Sequence, residues 1–298
     1  MIISKANTKD FINKASILSK ALPFMQRYSG KNITIKFGGA VMGEKNLSSS
    51  FAKDIVLLKQ VGINPVVVHG GGPKIKKMLD KLGVKTNFIK GLRVTDKETM
   101  DIVEMVLSGS INKEIVMEIN REGGRGIGLS GKDALLARTK KIVFPGKNTK
   151  SFKNSDIGFV GKPDKMNKEV LNWFLESHFI PVISPIGFDR SFNTFNINAD
   201  TMSGSVASAI LSERLILLTD VDGVLDKKGN LLTEISLNDV KKLIKNGTIS
   251  GGMIPKVETC MEAVKNGVKA AVILNGKLPH ALLLEMFTER GVGTLITN

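Results

Sequence analysis

The sequence has 298 residues, of which 42% are apolar and 24% charged, and these ordinary globular proportions exclude a disordered or fibrous chain. Its net charge is +15, from 35 Lys but only 8 Arg, spread along the whole chain. That dispersion, with an aromatic content of 5%, argues against a nucleic-acid reader, although a basic field attracts anionic small molecules. No apolar run approaches the ~18–20 residues that span a bilayer, so we expect no membrane contact.

The chain has a single cysteine, Cys260, which excludes an internal disulfide and a cysteine-based zinc site. Cys260 stands in a helical pattern, and we predict that it lies in the core. Such cysteine usage fits a reducing compartment, so we predict a cytoplasmic protein.

The first 26 residues contain no secretory signal, because no unbroken apolar stretch follows their lysines. Apolar residues instead recur at steps of four and three, which predicts an amphipathic helix. They are Phe11, Ala15, Leu18, Leu22 and Met25. A lone helix with an apolar stripe is unstable in water, so it must pack on its own subunit or on another.

Apolar strands alternate with helical patterns along the rest of the chain. Strands are predicted at 32–37, 65–68, 180–184, 215–219 and 270–274, with short strands and hairpins over 127–163. Helices are predicted over 47–58, from Pro73, over 96–120 with an interruption near Gly109, and from near Asp200, Leu237 and Pro255. This order predicts an α/β fold with an open, mainly parallel sheet sandwiched between helices, plus the extra N-terminal helix.

One glycine-rich stretch, residues 126–131, matches the dinucleotide pattern G-x-G-x-x-G and, extended to Lys132, most of a P-loop. Its context fits neither. No buried strand leads into it, and Asp133 stands where a P-loop requires Ser or Thr for magnesium. We therefore interpret the stretch as a turn and an edge strand.

Two other glycine clusters follow predicted strands, where parallel sheets bind ligands. Lys36 precedes Gly38 and Gly39 at a strand end that we expect to be exposed, and such glycines let backbone N–H groups approach an anion. His69 precedes Gly70, Gly71 and Gly72, which lead into a helix N-terminus. Either cluster predicts phosphate binding. His69 is a candidate catalytic base, but a hydrogen-bonded structural role is the better interpretation.

Further polar residues stand at predicted turns and helix starts. Arg93 could clamp a carboxylate through two hydrogen bonds, with Thr95 or Asp96 capping the next helix. By itself, Asp200 is best interpreted as an N-cap, and Asn196 and Asn198 as turn residues. Lys256 follows Gly251 and Gly252 in a third pairing of lysine with glycines. Asp220 and Asp222 are spaced like metal ligands, but no further acidic series follows, so we predict no metal site built from protein ligands.

Taken together and in this order, these segments resemble the amino acid kinase family, and within it the acetylglutamate kinases. The segments are 36–39, 68–73, 91–96, 128–133, 196–201, 218–224 and 251–256. The resemblance implies phosphorylation of the side-chain carboxylate of N-acetyl-L-glutamate by ATP, the second step of arginine synthesis. It implies an acetylglutamate-binding lobe over 27–212 and an ATP-binding lobe over 213–298.

Site residues follow from the same resemblance. Lys36 and Lys256 match two lysines that flank the transferred group, and Asp200 matches the acid that orients them. Gly71, Gly72, Arg93 and Asn196 match the acetylglutamate contacts. The nucleotide contacts are matched by Lys36, Gly38, Gly39, Asp220 and Lys256. Magnesium is expected to arrive with ATP, bound by phosphates and water.

The N-terminal helix and the C-terminal segment resemble those of arginine-inhibited members, which are hexamers. The resemblance implies that residues 1–26 join subunits and that His280, Glu285, Gly291 and Gly293 bind arginine. Glu285 can pair with a cation, and the turn can present carbonyls to a guanidinium. A solvated Glu285 beside an ordinary turn is the alternative.

Three other functions remain open from the sequence. The first is another kinase of the family, acting on carbamate, aspartate or a nucleotide. The second is a non-catalytic arginine sensor of the same fold. The third is a nucleic-acid binder, which only the net charge suggests.

Overall fold

The computed structural model of the chain describes residues 5–38, 42, 45–144 and 156–298. Its α-helices are α1 Lys5–Tyr28, α2 Lys45–Gln60, α3 Gly72–Lys81, α4 Lys97–Glu104, α5 Asn112–Arg121, α6 Lys168–Glu176, α7 Ala199–Ala209, α8 Leu237–Lys245, α9 Met253–Lys265 and α10 Ala281–Met286. Its strands are β1 Asn32–Phe37, β2 Asn64–His69, β3 Phe88–Ile89, β4 Leu92–Arg93, β5 Gly126–Ser130, β6 Ala137–Val143, β7 Asp156–Met166, β8 Ile180–Ser184, β9 Ile186–Phe188, β10 Thr194–Ile197, β11 Arg214–Thr219, β12 Glu234–Ser236, β13 Ala270–Asn275 and β14 Thr294–Thr297.

Within the described residues, eight strands form one sheet in the order β12-β14-β13-β11-β1-β2-β8-β5. Its neighbours pair in parallel, except that β14 runs antiparallel to β13. The five central strands β13, β11, β1, β2 and β8 are buried almost throughout, because helices cover both faces. The predicted mainly parallel sheet is confirmed, and β1 lies at its middle.

Four further strands close into a small barrel, in the order β10-β7-β6-β9. The sequence predicts short strands over 127–163, where β6 and most of β7 lie, but it predicts neither β9 and β10 nor the closure. The interpretation of Asn196 as a turn residue was wrong, because Asn196 lies in β10. Closure depends on parallel pairs between distant segments, such as Asn196 of β10 with Val160 of β7. It also places β10 beside α4, with the Asn196 amide donating to Thr95 Oγ1 at 3.3 Å.

The predicted helix over 96–120 is present, and its interruption is a change of helix type. Asp96 caps α4 by accepting a hydrogen bond from the Thr99 N–H at 2.8 Å. Residues 105–111, which include Gly109, form a π-helical segment that continues directly into α5. Such wider turns are uncommon and occur frequently at functional sites.

The stretch that matches the dinucleotide pattern forms β5, at one edge of the large sheet. The predicted edge strand is confirmed, and close packing explains its glycines. A Cβ on Gly128 would overlap the Asn112 side-chain oxygen, and one on Gly131 would overlap the Ile186 carbonyl. The pattern therefore arises because helix and backbone approach this strand closely.

Helix α1 exposes a row of large apolar side chains along its length. Phe11 is 52% exposed and Leu18 is 65% exposed, whereas Tyr28 in the last turn is buried. No helix among the described residues is both long and apolar enough to cross a membrane. Cys260 is buried in α9, as predicted.

We predict that Gly128→Ala lowers the free energy of unfolding by about 1–3 kcal/mol, the usual cost of overpacking. Gly109→Ala is the matched control, since nothing lies within 4 Å of an added Cβ there. Denaturant unfolding measures both. Equal stability of the two variants would contradict the packing explanation.

Candidate active site

A cavity of about 350 Å³ opens at the carboxyl ends of β1 and β2. The end of β1, the loop after β2, the β3–β4 hairpin, β10, and the first turns of α7 and α9 supply most of its walls. Seven residues predicted for the site line it together: Lys36, Gly71, Gly72, Arg93, Asn196, Asp200 and Lys256. Residues from six separate segments thus converge on one place.

The carboxylate of Asp200 lies between two lysines. Lys256 Nζ donates to Oδ2 at 2.9 Å, and Lys36 Nζ lies 3.0 Å from Oδ1. The Lys36 contact is an ion pair without good hydrogen-bond alignment, so Oδ1 is buried with no hydrogen bond. Asp200 is 7% exposed. Burial alone would raise the pKa of this carboxyl, but the charges of Lys36 and Lys256 hold it below its usual value.

Lys36 is only 8% exposed, so the prediction of an exposed strand end was wrong. The aliphatic stem of the lysine is covered by its neighbours, and its ammonium folds back towards Asp200. Gly38 makes room for this conformation, because a Cβ there would overlap the Lys36 ammonium. Gly39 lies outside the described residues.

The interpretation of Asp200 as an N-cap was also wrong. Asn198 is the cap of α7, and its side-chain oxygen accepts hydrogen bonds from the N–H groups of Asp200 and Thr201. This cap leaves the Asp200 carboxylate free to pair with the lysines. An asparagine two residues before an acid at a helix start is the signal that could have assigned the two roles.

The glycines after β2 form a tightly held loop. The Gly70 N–H donates to the Phe37 carbonyl at 2.8 Å, which joins this loop to the end of β1. Gly71 caps α3, and a Cβ on it would overlap Leu107 and Ile111 of the π-helical segment. An anion near this loop would face a helix N-terminus.

Arg93 ends the β3–β4 hairpin and is buried. Its guanidinium donates to Thr86 Oγ1 at 3.1 Å and to the Gly72 carbonyl at 3.4 Å, and it lies 4.7 Å from the centre of the Phe88 ring. Burial lowers the pKa of this guanidinium, while the charge of Asp80 raises it. A planar cation held in this way suits a carboxylate.

Apolar residues form the remainder of the cavity wall. Leu107, Val160, Pro185 and Ile197 line it, and Phe88 stands at the hairpin. Sequence reasoning missed these residues because they come from separate elements with no shared pattern. Together they give a ligand with a small apolar group a surface to contact.

Asp220 lies apart from this cavity, exposed at the end of β11, and it accepts a hydrogen bond from Thr219 Oγ1 at 3.1 Å. Asp222, in the same turn, accepts a hydrogen bond from the Asn275 side chain at 2.8 Å. These two carboxylates therefore lie at the carboxyl end of β11, the strand next to β1.

Glu285 and the turn at 291–293 meet near the C-terminus. The Glu285 carboxylate accepts hydrogen bonds from the N–H groups of Val292 at 2.9 Å and Gly293 at 3.3 Å. Gly291 has a φ of +62°, and a Cβ on it would overlap this carboxylate. Burial raises the pKa of Glu285, and the two N–H donors and Arg214 oppose that shift. Glu285 is therefore half-buried and bonded to the turn.

His280 precedes α10 and pairs with a buried acid of α2. Its Nδ1 lies 2.6 Å from Asp54 Oδ1. Burial raises the pKa of Asp54 to about 6, although the hydrogen bond and charge of His280 lower it. The His280 side chain remains half exposed.

The end of α1 lies beside Arg214. The Arg214 guanidinium lies 5.7 Å from the centre of the Tyr28 ring, and Tyr28 is the last residue of α1. The positive charge of Arg214 also opposes the rise in the pKa of Glu285 that burial causes.

The model of the amino acid kinase family matches residues 31–275. An acetylglutamate kinase of Parvibaculum lavamentivorans is 54% identical over 287 residues, covering 96% of this chain and 94% of its own. An acetylglutamate kinase of Acinetobacter baylyi is 54% identical over 288 residues, covering 96% and 95%.

Solved structures share the fold. An N-acetylglutamate synthase of Neisseria gonorrhoeae superposes with a TM-score of 0.83 at 24% identity; the match covers 95% of this chain but 63% of the synthase chain. A Giardia lamblia carbamate kinase superposes with a TM-score of 0.64 at 17% identity, covering 91% and 99%. At these identities the likeness concerns the fold alone.

Proposed function

This chain belongs to the amino acid kinase family, and we propose that it transfers the γ-phosphoryl group of ATP to the side-chain carboxylate of N-acetyl-L-glutamate. The two relatives described above are acetylglutamate kinases, and their similarity to this chain supports N-acetyl-L-glutamate as the substrate. The observation that carries the proposal is the Lys36–Asp200–Lys256 cluster, because a cavity with two cations suits a reaction between two anions.

The acceptor carboxylate is already a nucleophile, so the reaction requires no general base. The obstacle is repulsion between this carboxylate and the triphosphate. Catalysis of phosphoryl transfer consists mainly of positioning and of neutralising the charge of the transition state. Lys36 and Lys256 would supply that charge, while Asp200 fixes their separation.

The rest of the cavity accounts for the acceptor substrate. Arg93 would bind the α-carboxylate, and Asn196 together with the loop at Gly71 and Gly72 would bind the other polar groups. The Gly71 N–H would also donate to the transferred phosphoryl group. The apolar wall that includes Leu107 would contact the acetyl methyl. Gly38, Gly39 and Asp220 would contact ATP, and magnesium would arrive with the nucleotide, bound by phosphate oxygens and water.

The residues near the C-terminus, His280, Glu285 and the turn at 291–293, support a second, regulatory proposal. It is feedback inhibition by L-arginine, in a cytoplasmic enzyme of arginine biosynthesis. The half-buried Glu285 carboxylate would pair with the cationic effector, and His280 and the 291–293 turn would complete the site. The exposed apolar row of α1 would join subunits into a hexamer. Arg214, which lies beside the Tyr28 ring and whose charge acts on Glu285, would couple the two features.

We predict that Lys36→Ala and Lys256→Ala each lower kcat by about 10²-fold or more, because each removes charge stabilisation of the transition state. Trapping the acyl phosphate with hydroxylamine measures turnover. Lys97→Ala is the control, since its ion pair with Asp101 is exposed. Near-normal turnover in either variant would remove that lysine from the mechanism.

We predict that Arg93→Lys raises KM for acetylglutamate more than KM for ATP, because lysine keeps the charge but loses the planar two-point clamp. Arg138→Lys is the matched control, since Arg138 makes a two-point ion pair with Asp164 outside the cavity. Steady-state kinetics with each substrate varied in turn measures both. A rise in KM for ATP alone would contradict the assignment of Arg93 to the acetylglutamate subsite.

We predict a hexamer that L-arginine inhibits. Glu285→Gln should be active but insensitive to arginine, because glutamine keeps an acceptor for the turn and removes the charge; Glu289→Gln is the control. Deleting residues 1–25 should leave active dimers. Sedimentation and arginine titration measure both, and a wild-type dimer that millimolar arginine leaves uninhibited would refute the regulatory proposal alone.

A further inference from the structure

A buried polar network lies directly behind the glycine loop that follows β2. His69 and Asn112 are both almost completely buried, with 0% and 1% of their surface exposed. His69 Nδ1 lies 2.8 Å from the Gly70 carbonyl oxygen, and its Nε2 lies 3.3 Å from Asn112 Nδ2. Buried polar groups of this kind need a partner for each donor and acceptor.

The network determines which nitrogen of His69 carries the proton. Asn112 Nδ2 donates to the Val182 carbonyl at 2.8 Å, and Lys113 Nζ donates to Asn112 Oδ1, so the amide orientation is fixed. Its second N–H then faces Nε2 at 3.3 Å, with the Leu129 carbonyl at 3.5 Å as a weaker acceptor. Because an amide N–H cannot accept, Nε2 must be the acceptor of the pair. The proton of a neutral His69 is therefore on Nδ1, which donates to Gly70. Burial lowers the pKa of His69 to about 4, so the ring is neutral at physiological pH.

The backbone N–H and carbonyl of Gly70 therefore both form hydrogen bonds with the protein. Its N–H donates to the Phe37 carbonyl, and its carbonyl accepts from His69. A trans peptide is planar, so its carbonyl and the following N–H point in opposite directions. With the Gly70 carbonyl turned towards His69, the Gly71 N–H points to the opposite side, where Gly71 lines the cavity. That N–H has no hydrogen-bond partner among the described residues.

The loop has little freedom to rotate away from this orientation. Leu107 and Ile111, in the π-helical segment, lie where a Cβ on Gly71 would be. The same helix continues into α5 with Asn112 as its first residue. One helix thus both packs against Gly71 and sets the tautomer of His69.

We infer that His69 is a positioning residue for phosphoryl transfer: its Nδ1–H holds the Gly70 carbonyl, and the planar peptide aims the Gly71 N–H at the transferred phosphoryl group. This inference rests on the proposed function. His69 itself touches neither substrate, because it is sealed behind the loop. It therefore acts neither as a base nor as a ligand, and its effect passes through one backbone donor.

Two substitutions of His69 separate this role from simple packing. In His69→Asn the amide nitrogen takes the place of Nδ1 and can still donate to Gly70. In His69→Gln the longer amide reaches towards Asn112, in the place of Nε2, and leaves the Gly70 carbonyl unpaired. Both replace the ring by an amide, so a packing role predicts similar losses of thermal stability and of activity for the two.

The expected result is a split between kcat and KM. His69→Gln should lower kcat by about 10²-fold with each KM within about threefold of wild type, as for loss of a donor to the transition state. His69→Asn should retain kcat to within about fivefold. Ser108→Ala is the control, since Ser108 lies in the π-helical segment and its partly buried hydrogen bond to Ser184 of β8 does not involve His69. Equal kcat in the two His69 variants would overturn the inference.

A spectroscopic measurement tests the tautomer in the unaltered protein. The chain has 3 histidines, so selective ¹⁵N-histidine labelling gives few signals. We expect one neutral ring protonated on Nδ1, the tautomer less favoured in water, which does not titrate between pH 8 and about 5 because of its burial. A ring protonated on Nε2 at this site would overturn the inference. A wild-type protein that forms no acyl phosphate would instead refute the proposed function.

Discussion

The ionised carboxylate of Asp200, buried between two ammonium groups, is the constraint on which the site depends. Taking a charge out of water costs several kcal/mol unless opposite charges lie close by. Lys36 comes from β1 and Lys256 from α9, while Asp200 begins α7. The three charges therefore stay together only when the middle of the sheet and two helices are correctly assembled. In return, Asp200 keeps two cations near each other where their repulsion alone would separate them.

Much of the fold could be predicted because its signals are local. Apolar strands such as Ile180–Ser184 and caps such as Asp96 depend on neighbouring residues, and the glycines after β1 and β2 mark where such strands end. The burial of Lys36 could not be predicted, because residues far away in the chain cover it. The closed barrel could not be predicted for the same reason, since β10 pairs with β7, which lies far from it along the chain.

The candidate site was predictable as a set of residues but not as a set of roles. Asn198 and Asp200 both suit a helix start, and only the lysines contributed by other elements decide which one caps α7. Glycines were ambiguous for a similar reason. Those at 126–131 make room for a helix and a neighbouring backbone, whereas Gly71 makes room for a helix and also lines a cavity with its backbone. Both clusters are rich in glycine, and their surroundings in the fold decide what each cluster does.

The position of β1 in the sheet has a mechanical consequence. β1 pairs on one side with β2, which leads into the glycine loop beside Arg93, and on the other with β11, which ends at Asp220. The glycine loop and Asp220 are therefore carried by strands that share one neighbour. Backbone hydrogen bonds resist sliding of the strands far more than rotation about their axes. A change in the twist of this sheet would therefore move the glycine loop relative to Asp220 while every strand keeps its register.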